Sequence, residues 1–350
     1  MSNPTRFRRK ILLLGPIFLL ATALLLTAWH LWQKVTAPNV TLGGKEKASL
    51  CIPTGSAFPE VMQQLTDSGW LVRPAWFEWT ARKMEYPKGV KPGRYILHEG
   101  MSSRELASLL RSGQQTPVKV AFHNIYATTQ LAKVIASQIE ADSLSLITLM
   151  NDSLFLHPMG FSPVTVPALF IPNTYEFYWN STAQTFLERM HTEYKRFWNP
   201  ERTERCKKLD MTPIEVSILA SVIEQETQKN SEKKRMAGVY LNRLRKKIPL
   251  QADPTVKFAL GDRSLRRILF DHLKVKSPYN TYLHTGLPPG PICTPSIASI
   301  DAVLWAEEHD FLYFCAADDF SGLHLFARTL REHSRNAQKY RAALNKAAIK

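Results

Sequence analysis

The first long feature of the hydrophobic pattern is an uncharged run from Ile11 to Gln33. About 20 apolar residues are enough to cross a bilayer as a helix, so this run predicts a transmembrane helix at 11–33. Residues 1–10 include four basic residues, and a basic segment that flanks a transmembrane helix usually stays in the cytoplasm. We therefore expect a short cytoplasmic tail, a single membrane pass and an extracytoplasmic remainder. The alternative is a cleaved signal peptide, which usually has a shorter apolar core and a small-residue cleavage site.

Strand and helix patterns alternate between residues 45 and 115. Residues 49–52 predict a short strand, and the apolar positions that follow share one helix face: Phe58, Val61, Met62 and Leu65. A second strand pattern at 95–97 precedes Ser102 and Glu105, which have the spacing of a capping box. This segment is therefore predicted to be a small α+β module.

A larger region of mixed helices and strands is predicted from residue 118 to 345. Thr212, Pro213 and Glu215 combine an N-cap, a first-turn proline and a capping box, so a helix begins there. The fold class is α+β, with an N-terminal transmembrane helix, the small module and a larger mixed α/β catalytic domain. Further helices are predicted at 233–245, after Asp253 and Thr294, and from Leu330, and strands at 311–316 and 323–327.

Composition narrows the class of protein. A chain of 350 residues with 45% hydrophobic residues can bury a large core, which excludes a disordered protein. The formal net charge of +15 favours an anionic neighbour such as lipid headgroups or an acidic polymer, and export excludes nucleic acid. We expect no metal and no cofactor, since neither a metal-ligand spacing nor a nucleotide loop is present. The four cysteines are compatible with a disulfide or with buried thiols: Cys51, Cys206, Cys293 and Cys315.

One predicted helix carries two candidate carboxylates. Residues three, four and seven apart share a helix face, which gives one narrow polar stripe of Ser217, Ser221, Glu224 and Gln228. Glu226 projects roughly 200° away from Glu224, so the two cannot enter one cleft together. A carboxyl group buried against hydrocarbon tends to keep its proton near neutral pH, as a general acid must, and we take Glu224 as that acid. The alternative is an ordinary solvent-facing glutamate.

Three polar or proline-rich loops follow, at 250–256, 277–282 and 286–292. Their amide, hydroxyl and aromatic groups suit a sugar, whose ring faces stack on aromatics while its hydroxyls form hydrogen bonds. Each loop also has a purely structural interpretation. Asp253 has the alternative role of a helix N-cap, and the prolines that of shaping the backbone.

Segments 220–227 and 237–244, together with these loops, resemble the endolytic murein transglycosylase family of bacterial inner-membrane proteins. The resemblance extends from about Leu50 to Tyr340. It implies that 45–115 is a LysM-like module and that peptidoglycan glycan strands are the substrate. It also implies partnership with peptidoglycan synthases, and a role in ending glycan elongation. By this resemblance Glu224 is the catalytic acid, and the substrate-binding residues are Gln251, Asp253, Asn280, Tyr282 and His324.

A single carboxylate is sufficient if the substrate supplies its own nucleophile. The C6 hydroxyl of N-acetylmuramic acid (MurNAc) can attack C1 of the same sugar, so cleavage of its bond to N-acetylglucosamine (GlcNAc) leaves a 1,6-anhydro end. Two alternatives remain. One is a non-catalytic scaffold that binds peptidoglycan, and the other is a muramidase using water, which needs a second carboxylate such as Asp253.

Overall fold

The computed structural model has the predicted mixed α+β character. It describes the backbone of residues 4–346 except 124, 263, 264, 266 and 267, and side chains from residue 17 onward. The described helices are α1 (Pro4–Thr36), α2 (Phe58–Asp67), α3 (Pro74–Lys83), α4 (Ser103–Ser112), α5 (Thr128–Ala136), α6 (Ser143–Asn151), α7 (Ser153–Leu156), α8 (Ala183–Phe197), α9 (Pro200–Leu209), α10 (Pro213–Glu226), α11 (Asn230–Arg245), α12 (Asp253–Leu260), α13 (Ile297–Leu304) and α14 (Leu330–Lys346). The described strands are β1 (Lys47–Ile52), β2 (Gly93–His98), β3 (Val118–Ala121), β4 (Thr174–Phe177), β5 (Tyr313–Ala316) and β6 (His324–Ala327).

Helix α1 contains the apolar run. Within the described residues, Ile17–Thr36 is a helix long and apolar enough to cross a membrane. Its apolar side chains, such as Phe18, Leu25 and Trp29, are exposed. The side chains of the predicted cytoplasmic tail lie outside the described residues. Because length and composition fit an anchor and a signal sequence alike, the membrane pass stays a prediction.

The chain divides into two compact units, of which the first comprises Met1–Val118 and Glu176–Asn180. In this unit β1 pairs antiparallel with β2, and Leu50 lies opposite Tyr95, both fully buried. The predicted capping box is confirmed at α4, where Ser102 Oγ accepts from the Glu105 N–H at 3.2 Å and the Glu105 carboxylate accepts from the Ser102 N–H at 2.8 Å. Helix α3 was not predicted from the sequence. The LysM-like identity of this segment stays a prediction.

The second unit comprises Lys119–Tyr175 and Ser181–Lys350, and helix α10 is central to its core. Every residue of α10 from Val216 to Glu224 is buried, as is typical of a helix surrounded by other elements. Helices α11 and α13 pack against α10 and against each other. Strand β5 pairs antiparallel with β6, with Phe314 opposite Phe326, and α14 packs on this hairpin. The core therefore holds α10 rigidly and fixes the direction of its side chains.

Local capping signals predicted several boundaries of this unit well. Helix α12 begins at Asp253, one residue earlier than expected, because Ala252 and not Asp253 is its N-cap. The helix cap expected at Thr294 is wrong by two residues, because Ser296 is the N-cap and accepts from the Ser299 N–H at 3.3 Å. The hairpin strands are shorter than predicted, beginning at Tyr313 and His324.

The structure distinguishes between the disulfide and the thiol interpretation of the cysteines, which the sequence left open. No disulfide joins the four cysteines, all of which lie in the described part of the chain. Cys206 and Cys293 are buried, and Cys51 and Cys315 are partly buried. Of the two alternatives, the thiol interpretation fits the structure.

Candidate active site

Helix α10 presents its two glutamates to different surroundings. It starts with the predicted capping box, in which Thr212 Oγ1 accepts from the Glu215 N–H at 3.2 Å and Glu215 accepts from the Thr212 N–H at 2.7 Å. The two carboxylates Glu224 and Glu226 lie at its opposite end, with Glu226 as the last helical residue. As predicted, they project apart and do not share one set of contacts.

Glu224 is buried in a network of hydrogen bonds. Its Oε2 accepts from Lys233 Nζ at 3.0 Å, from the backbone N–H of Ser296 at 3.3 Å, and from the hydroxyls of Ser296 and Ser299. Burial raises the pKa of Glu224, but the hydrogen bonds from these serines and from Lys233 outweigh it and hold the pKa below its usual value. The expectation that Glu224 keeps its proton is therefore wrong, because every donor around it stabilises the ionised form.

Ser217, Ser221 and Glu224, which belong to the predicted polar stripe, are buried inside the second unit. Ser217 Oγ donates to the Pro213 carbonyl and Ser221 Oγ donates to the Ile218 carbonyl, both within α10. The Ser221 hydroxyl also accepts from the Ile292 N–H at 3.0 Å, so partners within the protein satisfy both serines. Helical periodicity correctly identified the face of Glu224, and in the structure that face packs against α11 and α13.

Glu226 lines a cavity of about 400 Å³, which we call the Glu226 cavity. This volume lies in the range of small-molecule sites. The polar residues that line it come from α10, α11, α12, α14, the hairpin β5–β6 and two loops. They are Glu226, Tyr240, Arg243, Gln251, Asp253, Tyr282, Tyr313, His324 and His333. Four of the five predicted substrate-binding residues are in this set.

The carboxyl group of Glu226 meets the requirements of a general acid. Tyr240 donates its hydroxyl to Oε1 at 2.6 Å. Burial raises the pKa of Glu226 to about 7; the Tyr240 hydrogen bond opposes this rise, the Asp253 carboxylate adds to it, and Lys257 opposes it weakly. A carboxyl group that is half protonated near neutral pH can give a proton to a leaving oxygen.

Asp253 and Tyr282 form a pair on the wall of the Glu226 cavity. The Tyr282 hydroxyl donates to Asp253 Oδ1 at 2.6 Å. Burial, and then this hydrogen bond, raise the pKa of Tyr282 well above its ordinary value. The N-cap alternative for Asp253 does not hold, because the N-cap of α12 is Ala252 and the Asp253 side chain bonds Tyr282 instead. A second carboxylate thus shares the cavity with Glu226.

Gln251 lies in a strained segment next to this pair. Its φ of 53° is left-handed, which is uncommon for a residue other than glycine and occurs often at functional sites. The side-chain oxygen accepts from Arg243, and the backbone N–H donates to the Thr281 carbonyl at 3.0 Å. These bonds join the loop at 250–256 to the loop at 277–282.

Asn280 does not belong to the lining of the Glu226 cavity among the described residues. It is fully buried, and its amide donates to the carbonyls of Leu273 and Val275 at 2.9 Å each. Its oxygen accepts from the Tyr282 N–H at 3.0 Å. The prediction that Asn280 contacts substrate is therefore not supported by its position, which instead fixes the loop that carries Tyr282.

His324 lines the Glu226 cavity from strand β6 and is paired with Glu232 of α11. Glu232 was not singled out from the sequence, and neither were Tyr240, Arg243, Tyr313 and His333. These residues do not belong to one sequence motif. Tertiary packing brings them together, so a local sequence pattern does not reveal that they share a site. Within the described chain, no group of three His, Cys, Asp or Glu residues could hold a metal ion.

Comparisons with known proteins agree with the resemblance. Residues 50–339 match the model of the YceG-like family. An endolytic murein transglycosylase of Bacillus subtilis is 28% identical over 90% of this chain and 91% of its own length. One from Streptococcus pneumoniae is 25% identical over 86% of this chain and 60% of its own length. A crystal structure of a yceG-like protein from Listeria monocytogenes has a TM-score of 0.54, with 29% identity, covering 83% of this chain and 99% of its own. The family model matches far more than half of the residues of this chain, and the chain therefore belongs to the YceG-like family.

Proposed function

We propose that this chain is a membrane-anchored lytic transglycosylase that cuts MurNAc-GlcNAc bonds within peptidoglycan strands, with Glu226 as its general acid. The observation that carries the proposal is the position of the Glu226 carboxyl group in a cavity of amide, phenol and imidazole groups, where burial raises its pKa to about 7. The names of the bacterial relatives supply the reaction class. Glu226 therefore replaces Glu224 in the role that the sequence suggested.

In this mechanism Glu226 gives its proton to the glycosidic oxygen as the bond from C1 breaks. The C6 hydroxyl of the same MurNAc attacks C1, so no activated water is required. Tyr240 holds the carboxyl of Glu226 in place through its 2.6 Å hydrogen bond. Gln251, Asp253 and Tyr282 offer acceptors and donors for sugar hydroxyls and the acetamide group. The reaction requires no cofactor.

A second candidate function is hydrolysis by a muramidase. It is favoured by one observation, that Asp253 shares the cavity with Glu226 and raises its pKa. A second carboxylate could activate a water molecule or act as nucleophile in an ordinary glycosidase mechanism. The products separate the candidates, because hydrolysis leaves reducing ends that carry one added water. A non-catalytic scaffold would release no product.

The cellular setting is part of the same proposal. Helix α1 would anchor the chain in the inner membrane with its N-terminus in the cytoplasm, and the LysM-like segment at 45–115 would hold glycan. Cutting nascent strands there would end their elongation next to the peptidoglycan synthases. Nucleic acid has no role in this setting.

The variant Glu226→Gln tests the assignment of the acid. We expect a loss of about 10²- to 10⁴-fold in turnover of purified glycan strands, because the amide cannot donate the proton that the carboxyl group donates. Glu188→Gln is the matched control, since Glu188 is an exposed residue of α8. Circular dichroism checks that both variants are folded. Wild-type turnover in Glu226→Gln would remove Glu226 from the mechanism.

A further inference from the structure

A third carboxylate, that of Glu232, is connected to the Glu226 cavity through a histidine. Glu232 of α11 is buried, and its Oε1 accepts from the backbone N–H of His324 at 2.8 Å. Its Oε2 lies 3.0 Å from His324 Nδ1. The ring of Phe314 packs edge-on against the imidazole, with the ring centres 5.5 Å apart. The imidazole is therefore fixed in both position and orientation.

This contact determines the tautomer of His324. An ionised carboxylate only accepts hydrogen bonds, so Nδ1 carries the hydrogen. In the neutral ring Nε2 is then an acceptor. Among the described residues Nε2 has no hydrogen-bond partner, and the ring lines the cavity that contains Glu226. A carboxylate-oriented imidazole with an open nitrogen is a well-placed proton acceptor.

We propose that His324 is the base of the transglycosylase reaction and that Glu232 is its positioning residue. This inference rests on the proposed function. Glu226 gives its proton to the departing GlcNAc oxygen as the C1–O bond breaks, and O6 forms the new bond to C1. The proton of the C6 hydroxyl passes to His324 Nε2. The step leaves an anhydro end, a free GlcNAc hydroxyl, a Glu226 carboxylate and a His324 imidazolium, and proton exchange with water restores both side chains.

Electrostatic contacts explain why His324, and not His333, serves as the base. The imidazolium that forms on His324 faces the Glu232 carboxylate, which stabilises the new positive charge. His333 also lines the cavity, but within the described part of the chain its buried Nδ1 has no hydrogen-bond partner. Burial, and then the charge of Arg243, lower the pKa of His333. Of these two histidines, only His324 has a carboxylate that sets its tautomer and stabilises its charged form.

The dependence on the leaving group distinguishes an acid from a base. The substrates are peptidoglycan strands and a nitrophenyl glycoside of the GlcNAc-MurNAc disaccharide, whose leaving group departs without protonation. On the strands, both Glu226→Gln and His324→Gln should lose about 10²- to 10⁴-fold in kcat. On the nitrophenyl glycoside, Glu226→Gln should recover to within about tenfold of wild type, whereas His324→Gln should not recover.

Two further variants complete the test. His157→Gln changes an exposed histidine that does not line the Glu226 cavity, and it should behave as wild type on both substrates. If His324→Gln fails to fold, Glu232→Gln is measured instead, and a loss of roughly tenfold or more that persists on the nitrophenyl glycoside supports the proposal. Wild-type activity in the folded variant, or recovery in parallel with Glu226→Gln, overturns the base assignment alone. A wild-type protein that leaves no anhydro ends overturns the proposed function as well.

Discussion

At the scale of single residues, the surroundings of two glutamates on one helix separate their roles. Glu224 accepts from two serines and a lysine, so its ionised form is stabilised. Glu226 is desolvated and accepts from one tyrosine hydroxyl, so its protonated form persists. Two residues of identical chemistry thus differ in proton affinity because of what surrounds them. One fits a structural role and the other fits acid catalysis.

Glu224→Gln should lower stability more than it lowers chemistry. Removing the charge leaves the Lys233 ammonium group buried without its ion pair, which we expect to reduce the free energy of unfolding by about 3 to 5 kcal/mol. Urea unfolding measures this loss. Asp271→Asn, which breaks an exposed pair with Lys274, should cost less than about 1 kcal/mol. A fully stable Glu224→Gln variant without activity would contradict our assignment.

The pH dependence should follow the protonation of Glu226. The acid acts only while protonated, and its pKa is raised from 4.5 to about 7. We therefore expect kcat/KM to decline as pH rises through about 7, by roughly tenfold per unit beyond it. Steady-state rates between mildly acidic and mildly basic pH measure this limb. A decline centred near 4.5 would show that the acid is an unperturbed carboxyl group.

The sequence predicted the site residues unevenly. The family resemblance pointed to Gln251, Asp253, Tyr282 and His324, and these four residues line one cavity. Our proposal places the acid at Glu226 and not at Glu224, because helical periodicity shows which residues share a face and does not show which face meets a cleft. Glu226 becomes recognisable only when tertiary packing brings Tyr240 and Asp253 next to it.

At the scale of elements, helix-capping signals predicted the boundaries of helices more reliably than apolar patterns predicted those of strands. The capping boxes of α4 and α10 form as predicted, because they depend on residues only three positions apart. Helix α3 escaped prediction, and the hairpin strands are shorter than their apolar runs. These features depend on partners distant in the sequence, which local patterns do not reveal.

Thr212→Ala should destabilise α10 by about 1 kcal/mol, because the first turn loses the acceptor for the Glu215 N–H. Urea unfolding of the variant measures this change, and activity per folded molecule should remain at the wild-type level. Thr192→Ala is the control, since the hydroxyl of the exposed Thr192 donates to the Glu188 carbonyl within its own helix and caps no helix end. We expect that change to stay within roughly 0.5 kcal/mol. Equal effects of the two changes would contradict the capping role.

At the scale of the whole molecule, the apolar helix and the basic net charge both favour a location at a membrane. Ile17–Thr36 is long enough to span a bilayer, and a formal charge of +15 favours anionic surfaces. A catalytic unit tethered in this way would act on strands close to the membrane. Anchoring by the helix and attraction by charge can be separated experimentally, because salt screens only the latter.

Full-length protein should remain in the membrane pellet after washes with high salt and with alkaline carbonate. A variant that lacks residues 1–33 should appear in the soluble fraction and keep its activity on purified strands. The mass of the purified full-length protein provides the control, because a cleaved signal peptide would remove its N-terminal segment. Release of intact full-length protein by salt alone would contradict the anchor.

The mass of the products tests the central claim most directly. Purified glycan strands are digested with wild-type protein and with Glu226→Gln, and the fragments are weighed by mass spectrometry. The account predicts internal cuts that leave 1,6-anhydro-MurNAc ends, with both the cuts and these ends nearly absent from the variant digest. Fragments heavier by one water, or an undiminished yield from the variant, would contradict it.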